Sequence, residues 1–144
     1  MTEFPPDVHS LIDAAVAEDQ TFNDPTTQAV VPPEIQGTGM LRAKATGVLA
    51  GVDVAIAVFK RVDLTLQVKA ILKDGAPLSP GDDIAEVRGS AAGILRAERI
   101  AFYFMQRMSG IATDTNRYVQ EIQGLKARIV DTRKTVPGHR YLDK

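Results

Sequence analysis

The stretch Ala127-Arg-Ile-Val-Asp-Thr-Arg-Lys-Thr-Val-Pro-Gly-His-Arg140 joins a short apolar run, two adjacent cations and a turn signal. Residues 127–130 predict a short buried strand. Pro137-Gly138 predicts a turn, because proline presets φ and glycine accepts a positive φ. Strand ends in α/β folds commonly carry functional side chains, since the sheet fixes the backbone there. Arg133 supplies a planar fork and Lys134 a point charge, so the stretch predicts a site for an anionic small molecule.

A long helix is predicted upstream, over about residues 91–109, with Ser90 as its N-cap and Gly110 as its stop. A second helix is predicted from Thr113 to about Gln123. On a 3.6-residue wheel, the long helix has an apolar face formed by Ile94, Ala97, Ala101, Phe104 and Met108. Its polar face carries Arg96, Arg99, Tyr103 and Gln106. Arg99 lies near the centre of that face, and the neighbouring Glu98 does not face it, so no partner within the helix is expected.

The first ninety residues alternate between helical and strand patterns. Apolar residues at helical spacing predict helices over residues 8–18 and 52–59. Alternating polarity predicts strands over residues 37–48 and 63–72, and a further short strand is predicted over residues 84–87. Together with the long helix, this order predicts an α+β fold, with an N-terminal α/β sandwich domain over residues 1–115.

Composition limits the class of protein. The chain has 144 residues, 44% of them hydrophobic and 24% charged, which suits one domain with a real core. It has no cysteine, which excludes a disulfide framework and a thiol nucleophile. A net charge of −1 gives no reason to expect nucleic acid or a membrane as partner. No secretory signal pattern or membrane span is visible, so the prediction is a soluble, cytoplasmic protein.

Charge is distributed unevenly along the chain. Residues 1–35 contain seven acids, including Glu3, Asp19 and Asp24, and no lysine or arginine, and we interpret them as a solvated surface. The bases concentrate at the other end, over residues 126–144. A basic end suits an anionic ligand, although a solvated face explains such asymmetry equally well.

Three further features are interpreted as structural. Asp24-Pro-Thr-Thr27 favours turn and capping chemistry. Gly47-Val-Leu-Ala-Gly51 favours a backbone bend, because it lacks the GxGxxG spacing and the lysine of phosphate loops. Neither His9 nor His139 has a second ligand at suitable spacing, so no metal site is predicted from the histidines.

Four blocks, in this order, resemble the quinolinate phosphoribosyltransferases, also called nicotinate-nucleotide pyrophosphorylases (carboxylating). The blocks are Asp24-Pro-Thr-Thr27, Gly47-Val-Leu-Ala-Gly51, Ala97-Glu-Arg-Ile-Ala101 leading to Ser109-Gly-Ile-Ala-Thr113, and Asp131-Thr-Arg-Lys-Thr135 with Pro137-Gly138. They cover most of the chain and are far more specific together than one pentapeptide. The family commonly has Thr, Leu and Glu where Val136, His139 and Asp143 stand, which leaves room for a paralogue with another substrate.

The resemblance implies a reaction and a set of residues. Phosphoribosyl pyrophosphate would transfer its phosphoribosyl group to quinolinate, with decarboxylation to nicotinate mononucleotide and with Mg²⁺ as cofactor. By residue matching, Arg99 and Arg133 would hold the dicarboxylate, and Thr132 would add a hydroxyl contact. Lys134, the catalytic residue, would lie near the ribose and pyrophosphate. The resemblance also implies a homodimer in which Arg99 acts in trans.

The resemblance implies, for residues 116–144, a linker helix followed by the first strand and loop of an incomplete α/β barrel, a fold of about 250 residues. The Mg²⁺ ligands are expected beyond residue 144, and the chain as given is expected to be inactive alone. Two alternatives stay open at this point. One is a paralogous phosphoribosyltransferase for another acid. The other is an isolated α+β domain that serves as a binding or dimerisation module.

Overall fold

The computed structural model describes residues 4–144, so Glu3 of the acidic stretch lies outside the described residues. Helices and antiparallel sheets are mixed along the chain, which confirms the predicted α+β class. The elements are α1 (Pro6–Glu18), a 3₁₀ turn (Thr21–Asn23), α2 (Pro25–Val30), β1 (Gln36–Arg42), β2 (Gly47–Val48), α3 (Val52–Val62), β3 (Gln67–Ala70), β4 (Pro77–Leu78), β5 (Asp83–Ser90), α4 (Ala91–Glu121) and α5 (Arg140–Asp143).

The main sheet has three antiparallel strands in the order β1-β5-β3. The central strand β5 pairs along its whole length with β1, from Gln36 opposite Ser90 to Arg42 opposite Asp83. Its buried residues Ile84, Ala85 and Val87 explain the central position, because a central strand needs apolar side chains against the helices. Strands β2 and β4 form a separate two-stranded antiparallel pair.

Strand β3 is shorter than the alternation of residues 63–72 predicts. Only Gln67–Ala70 is paired with β5. Leu64 is 82% exposed, whereas Leu66 is fully buried although it lies outside the strand. The apolar alternation therefore marks which side chains are available for burial, and the pairing partner decides where the strand begins.

The prediction that Gly110 ends the long helix is wrong, because α4 runs without interruption from Ala91 to Glu121. Ser109 Oγ accepts a hydrogen bond from Ala50 N (3.0 Å) and donates one to Ala50 O (3.1 Å). One turn later, Thr113 Oγ1 accepts from Val48 N at 2.9 Å. These contacts hold α4 against the β2 region on both sides of Gly110, and they outweigh the cost of about 1 kcal/mol for an interior glycine.

The predicted faces and N-cap of α4 are confirmed. Ser90 Oγ accepts from Gly93 N at 3.2 Å. Four residues of the predicted apolar face are buried, namely Ile94, Ala97, Ala101 and Phe104, and Met108 packs partly buried against the core. The core itself lies between this face, helix α3 and the main sheet, and α3 contributes the fully buried Phe59.

The prediction of a bend over Gly47–Gly51 holds only in part, because Gly47–Val48 forms strand β2 and only residues 49–51 link that strand to α3. Gly51 has φ +93° and stands at the N-cap position of α3, where it offers no capping side chain. Asp74 supplies the cap from the β3–β4 turn, because its carboxylate accepts from Gly51 N (2.8 Å) and Val52 N (2.9 Å). A carboxylate at the N-terminus of a helix accepts hydrogen bonds from its free N–H groups and interacts favourably with the positive end of the helix dipole.

The strand predicted over residues 127–130 is not formed. Residues 126–136, called the extended segment below, pair with no strand among the described residues, and all but the half-buried Thr135 are exposed. A strand is stabilised by a neighbour that accepts and donates its backbone hydrogen bonds, and none lies here. The predicted turn does follow, since His139 N donates to Val136 O at 3.0 Å and Gly138 has φ +81°.

The last residues return to the body of the molecule. Leu142 of α5 is 5% exposed. Arg107 of α4 forms a bidentate ion pair with Asp143, in which Nε and Nη2 each donate to a carboxylate oxygen at 3.0 Å. Tyr141 packs edge-on against the ring of Phe4. Helix α5 therefore docks beside α1 and α4, and the extended segment bridges the end of α4 to this docking point.

Candidate functional site

Arg99 lies on α4 and extends toward the end of α1. Its Nη1 donates to Asp19 Oδ1 at 3.0 Å, and its side chain is 63% exposed. The Asp19 carboxylate, at 22% exposure, is more enclosed. This hydrogen bond and the Asp19 charge raise the pKa of Arg99 further above its ordinary value, so the guanidinium is charged at every physiological pH.

The backbone that carries Asp19 is tightly folded. Residues 19–24, called the α1–α2 turn below, include Gln20 with φ +51° and the buried Thr21. At its end, Asp24 caps α2, because its carboxylate accepts from Thr26 N and Thr27 N at 3.1 Å each and also from Thr27 Oγ1. The prediction of capping chemistry at Asp24-Pro-Thr-Thr27 is confirmed.

A cavity of about 340 Å³ lies between the α1–α2 turn and α4. Its lining includes Asp19, Asp24, Arg96 and Arg99. The Thr27 hydroxyl and backbone N–H, together with the charge of Arg96, hold the pKa of Asp24 below its ordinary value. With Glu18, the cavity joins three anionic and two cationic groups, and Arg99 is the more exposed of its two arginines.

Thr132, Arg133 and Lys134 lie in the extended segment and are exposed. Lys134 N donates to Thr132 Oγ1 at 3.2 Å, which shapes the backbone at Arg133. Asp131 pairs with Lys144. Among residues 4–144, neither Arg133 nor Lys134 forms an ion pair, so both charges are available to an anionic ligand.

The structure gives no contact between Arg99 and the Thr132–Lys134 group. It does bring the chain back toward Arg99, since His139 and Asp19 line one cavity of about 380 Å³ between α1 and α4. His139 therefore shares a cavity with the partner of Arg99, and the side chain of Val136 is exposed at the turn before it.

Asp19 is the site residue that the sequence reasoning missed. The acids of residues 1–35 were interpreted as a solvated surface, but Asp19 pairs with Arg99, Asp24 caps α2, and Asp13 pairs with Arg61 at 2.5 Å. The available signal was position, because Asp19 directly follows a predicted helix end, where the backbone is fixed. Its partner is 80 residues away, beyond the reach of any local pattern.

Neither a cluster of metal ligands nor a membrane-spanning helix is found within residues 4–144. Within residues 4–144, no group of three or more His, Cys, Asp or Glu side chains is placed to hold a metal ion. No helix in this part of the chain combines the length and the apolar character needed to cross a bilayer.

Comparison with protein families gives two adjoining matches. The model described as "Quinolinate phosphoribosyl transferase, N-terminal domain" matches residues 24–109. The model of the C-terminal domain of the same family matches residues 111–144. The predicted boundary between residues 115 and 116 falls inside α4 and stays a prediction.

Individual relatives carry consistent names. The chain is 42% identical over 133 residues to the nicotinate-nucleotide pyrophosphorylase (carboxylating) of Mycobacterium leprae, covering 90% of this chain and 47% of that relative. It is 37% identical over 139 residues to a quinolinate phosphoribosyltransferase (decarboxylating) of Nicotiana tabacum that is named mitochondrial, covering 96% of this chain and 39% of that relative.

Solved structures agree with the sequence relatives. The NadC protein of Streptococcus pyogenes superposes with a TM-score of 0.91 at 35% identity, over 99% of this chain and 51% of that one. The nicotinate-nucleotide pyrophosphorylase of Francisella tularensis gives 0.90 at 32% identity, over 98% and 51%. The chain spans about half the length of these proteins or somewhat less.

Proposed function

The chain belongs to the quinolinate phosphoribosyltransferase family, and on that premise we propose that the complete protein transfers a phosphoribosyl group to quinolinate. The products are nicotinate mononucleotide, pyrophosphate and CO₂. Nicotinate mononucleotide then enters NAD biosynthesis. The observation that carries the proposal is the pair of exposed, unpaired cations Arg133 and Lys134, which the turn at Pro137-Gly138 follows.

The chemistry makes specific demands on the site. The ring nitrogen of quinolinate attacks C1 of the ribose, and the C1–O bond to pyrophosphate breaks with its electron pair leaving on pyrophosphate. The carboxylate next to the new bond then leaves as CO₂, and its electron pair remains on the ring carbon, which takes up a proton. Both substrates are multiply charged anions, so the site needs fixed cations that position them and stabilise the leaving group.

The residues of this chain meet part of that demand. Arg99 and Arg133 offer planar forks for the two carboxylates of quinolinate. Lys134 supplies a compact charge near the ribose and pyrophosphate, and Thr132 adds a hydroxyl contact while shaping the backbone through its bond with Lys134 N.

Mg²⁺ would neutralise pyrophosphate charge when bound. The described residues do not fit a Mg²⁺ site, since no cluster of three ligands lies among them, and we therefore derive no step through the ion. A cytoplasmic location is part of the same proposal.

The function is tested by assaying the complete protein with phosphoribosyl pyrophosphate and a panel of pyridine carboxylic acids. We expect nicotinate mononucleotide from quinolinate, and Arg133→Ala should weaken quinolinate binding about ten- to hundredfold, the effect of one charge-assisted contact. A higher kcat/KM for another acid would establish the paralogue instead. No transfer to any acid would favour the binding or dimerisation module.

The proposal includes a two-fold homodimer in which Arg99 serves the neighbouring subunit. What supports it is that Arg99 makes no contact with residues 131–135 of its own chain and turns away from its own core. A two-fold axis would make the two sites equivalent.

Mixed dimers separate action in trans from action in cis. Arg99→Ala and Arg133→Ala each remove one half of the site, and a heterodimer of the two variants regains one intact site only when Arg99 reaches across the interface. We expect the mixture to recover activity after subunit exchange. A mixture that exchanges subunits and stays as inactive as either parent would place Arg99 in cis.

A further inference from the structure

Among residues 4–144, Arg99 donates a side-chain hydrogen bond from only one of its three guanidinium nitrogens. Its Nη1 donates to Asp19 Oδ1 at 3.0 Å, and within residues 4–144 no hydrogen bond reaches its Nε or Nη2. A guanidinium carries five N–H donors in a fixed plane, and Nε with Nη2 forms one of the edges that accept a carboxylate in a forked, two-bond geometry. That edge of Arg99 is open.

The same helix shows what an Nε–Nη2 edge does when a carboxylate is present. Two turns after Arg99, Arg107 binds Asp143 through Nε and Nη2, each at 3.0 Å. The Asp143 side chain is almost buried in this pair, which anchors α5. Arg107 is thus committed to a carboxylate of its own chain, whereas Arg99 keeps the equivalent edge free.

Asp19 is well suited to orient a neighbouring side chain. It is the C-cap residue of α1, and its N–H donates to Ala15 O at 3.0 Å. Gln20 N donates to Ala17 O at 3.2 Å, so the residues on both sides of the carboxylate are tied to the helix end. Asp19 is also short and half-buried, so it can fix the long, exposed side chain of Arg99 in one direction.

We propose that Asp19 is a positioning residue: it holds Arg99 by Nη1 so that the open Nε–Nη2 edge meets a carboxylate of the substrate. The inference rests on the proposed function, because it takes quinolinate as the ligand of Arg99. Asp19 does not touch the substrate, and it acts by removing the conformational freedom that Arg99 would otherwise lose on binding.

The proposal predicts that two substitutions of Asp19 differ in their effect on the KM for quinolinate. Asp19→Ala removes the acceptor and frees the guanidinium, which should raise the KM for quinolinate about two- to tenfold, the cost of ordering one long side chain. Asp19→Asn keeps an amide oxygen at the same place and should recover most of the affinity. In both variants we expect kcat and the KM for phosphoribosyl pyrophosphate to stay near the wild-type values.

Asp13→Ala is the matched control. Asp13 lies on the same helix and pairs in the same way with an arginine, Arg61, at 2.5 Å, but Arg61 has no place in the proposed site. This control measures what the loss of any α1 ion pair does to the protein. We expect it to leave both KM values unchanged.

The kinetic experiment uses the complete protein and starts from the wild type. If the wild type transfers phosphoribosyl to quinolinate, a raised quinolinate KM in Asp19→Ala with recovery in Asp19→Asn supports the positioning role. An Asp19→Ala enzyme with unchanged quinolinate KM overturns it, and so does an equal rise in both KM values, which indicates general disruption.

A second measurement does not depend on activity. Nuclear magnetic relaxation of the Arg99 Nε–H group reports whether the side chain is ordered, and we expect it to become mobile in Asp19→Ala and to stay ordered in Asp13→Ala. If the wild type fails to transfer phosphoribosyl to quinolinate, the proposed function fails and this measurement still decides whether Asp19 orders Arg99. An equally ordered Arg99 in both variants overturns the inference.

Discussion

Arg99 and Arg133 are proposed to bind the same dicarboxylate, yet their surroundings differ. Arg99 lies on a helix of 31 residues whose opposite face is buried, and Asp19 holds it from another helix. Arg133 lies in the extended segment, where Lys134 N donates to Thr132 Oγ1 and no ion pair among residues 4–144 holds the Arg133 side chain. A motif thus identifies which side chains bind a ligand, but their orientation depends on whether a distant segment packs against them.

The two regions also differ in what supports the backbone. Around Arg99, packing of α1, α4 and α5 fixes the main chain. In the extended segment, Val130 is 79% exposed and pairs with no strand among the described residues. Substitutions in these two regions and at the helix caps are therefore expected to differ in their effect on stability.

The largest effect is expected at the docking point of α5. Leu142→Ala removes a buried side chain and should weaken docking by about 2–4 kcal/mol, because a cavity remains where it packed. The reporter is hydrogen exchange of the Asp143 amide, which donates to His139 O at 2.8 Å. The control Val130→Ala should leave that exchange rate unchanged, and equal effects of the two substitutions would remove the contrast.

A smaller effect is expected at the start of α3. Asp74→Ala leaves Gly51 N and Val52 N without their acceptor and should lower the free energy of unfolding by about 1–3 kcal/mol. Urea denaturation measures this loss. Asp114→Ala is the control, because its ion pair with Arg117 lies on the exposed surface of α4 and should contribute little to stability. A loss below about 0.5 kcal/mol would show that water replaces the cap.

The contribution of Asp24 should depend on pH. Its pKa is lowered in the folded state by its bonds from Thr27, so the ionised form favours folding. That stability is present above the ordinary pKa of 3.8 and is lost as the pH falls through the folded pKa, which lies lower still. The Tm of the wild type should exceed that of Asp24→Ala near neutral pH, and the gap should close in acid. A gap that does not narrow as the pH falls from neutral into strong acid would contradict the ionised cap.

The smallest effect on stability is expected in the extended segment itself. Thr132→Ala removes one local hydrogen bond from an exposed backbone, so the free energy of unfolding should change by less than about 0.5 kcal/mol. Urea denaturation of this variant against the wild type provides the value. A loss as large as that of Asp74→Ala would show that the segment is part of the cooperative fold.

Much of the fold follows from local pattern. The apolar face of α4, the Ser90 cap and the turn at Pro137-Gly138 are set by neighbours in sequence, and each is found as predicted. Gly110 and residues 127–130 are the exceptions. In both cases, contacts with distant segments decide the outcome. Hydrogen bonds with Ala50 and Val48 stabilise the helix on both sides of Gly110. Residues 127–130 have no strand partner among the described residues and stay unpaired.

The candidate site also has features that the sequence predicts and features that it does not. The exposure of Arg99, and of Arg133 and Lys134, is predictable because polar wheel positions and cationic loops face solvent. The pairing of Arg99 with Asp19 is not, since it depends on where the end of α1 lies relative to α4. The position of His139 in a cavity beside Asp19 depends equally on the return of the chain at α5.

Hydrogen exchange along this chain shows directly whether packing fixes the Arg99 half of the site and leaves the Arg133 half free, as we infer. We expect slow exchange at Ile100, Ala101 and Phe104 of α4 and fast exchange at Ile129 and Val130, because the amides of the extended segment have no strand partner among the described residues. Protection at Ile129 and Val130 comparable to that of α4, in a monomeric sample, would contradict it.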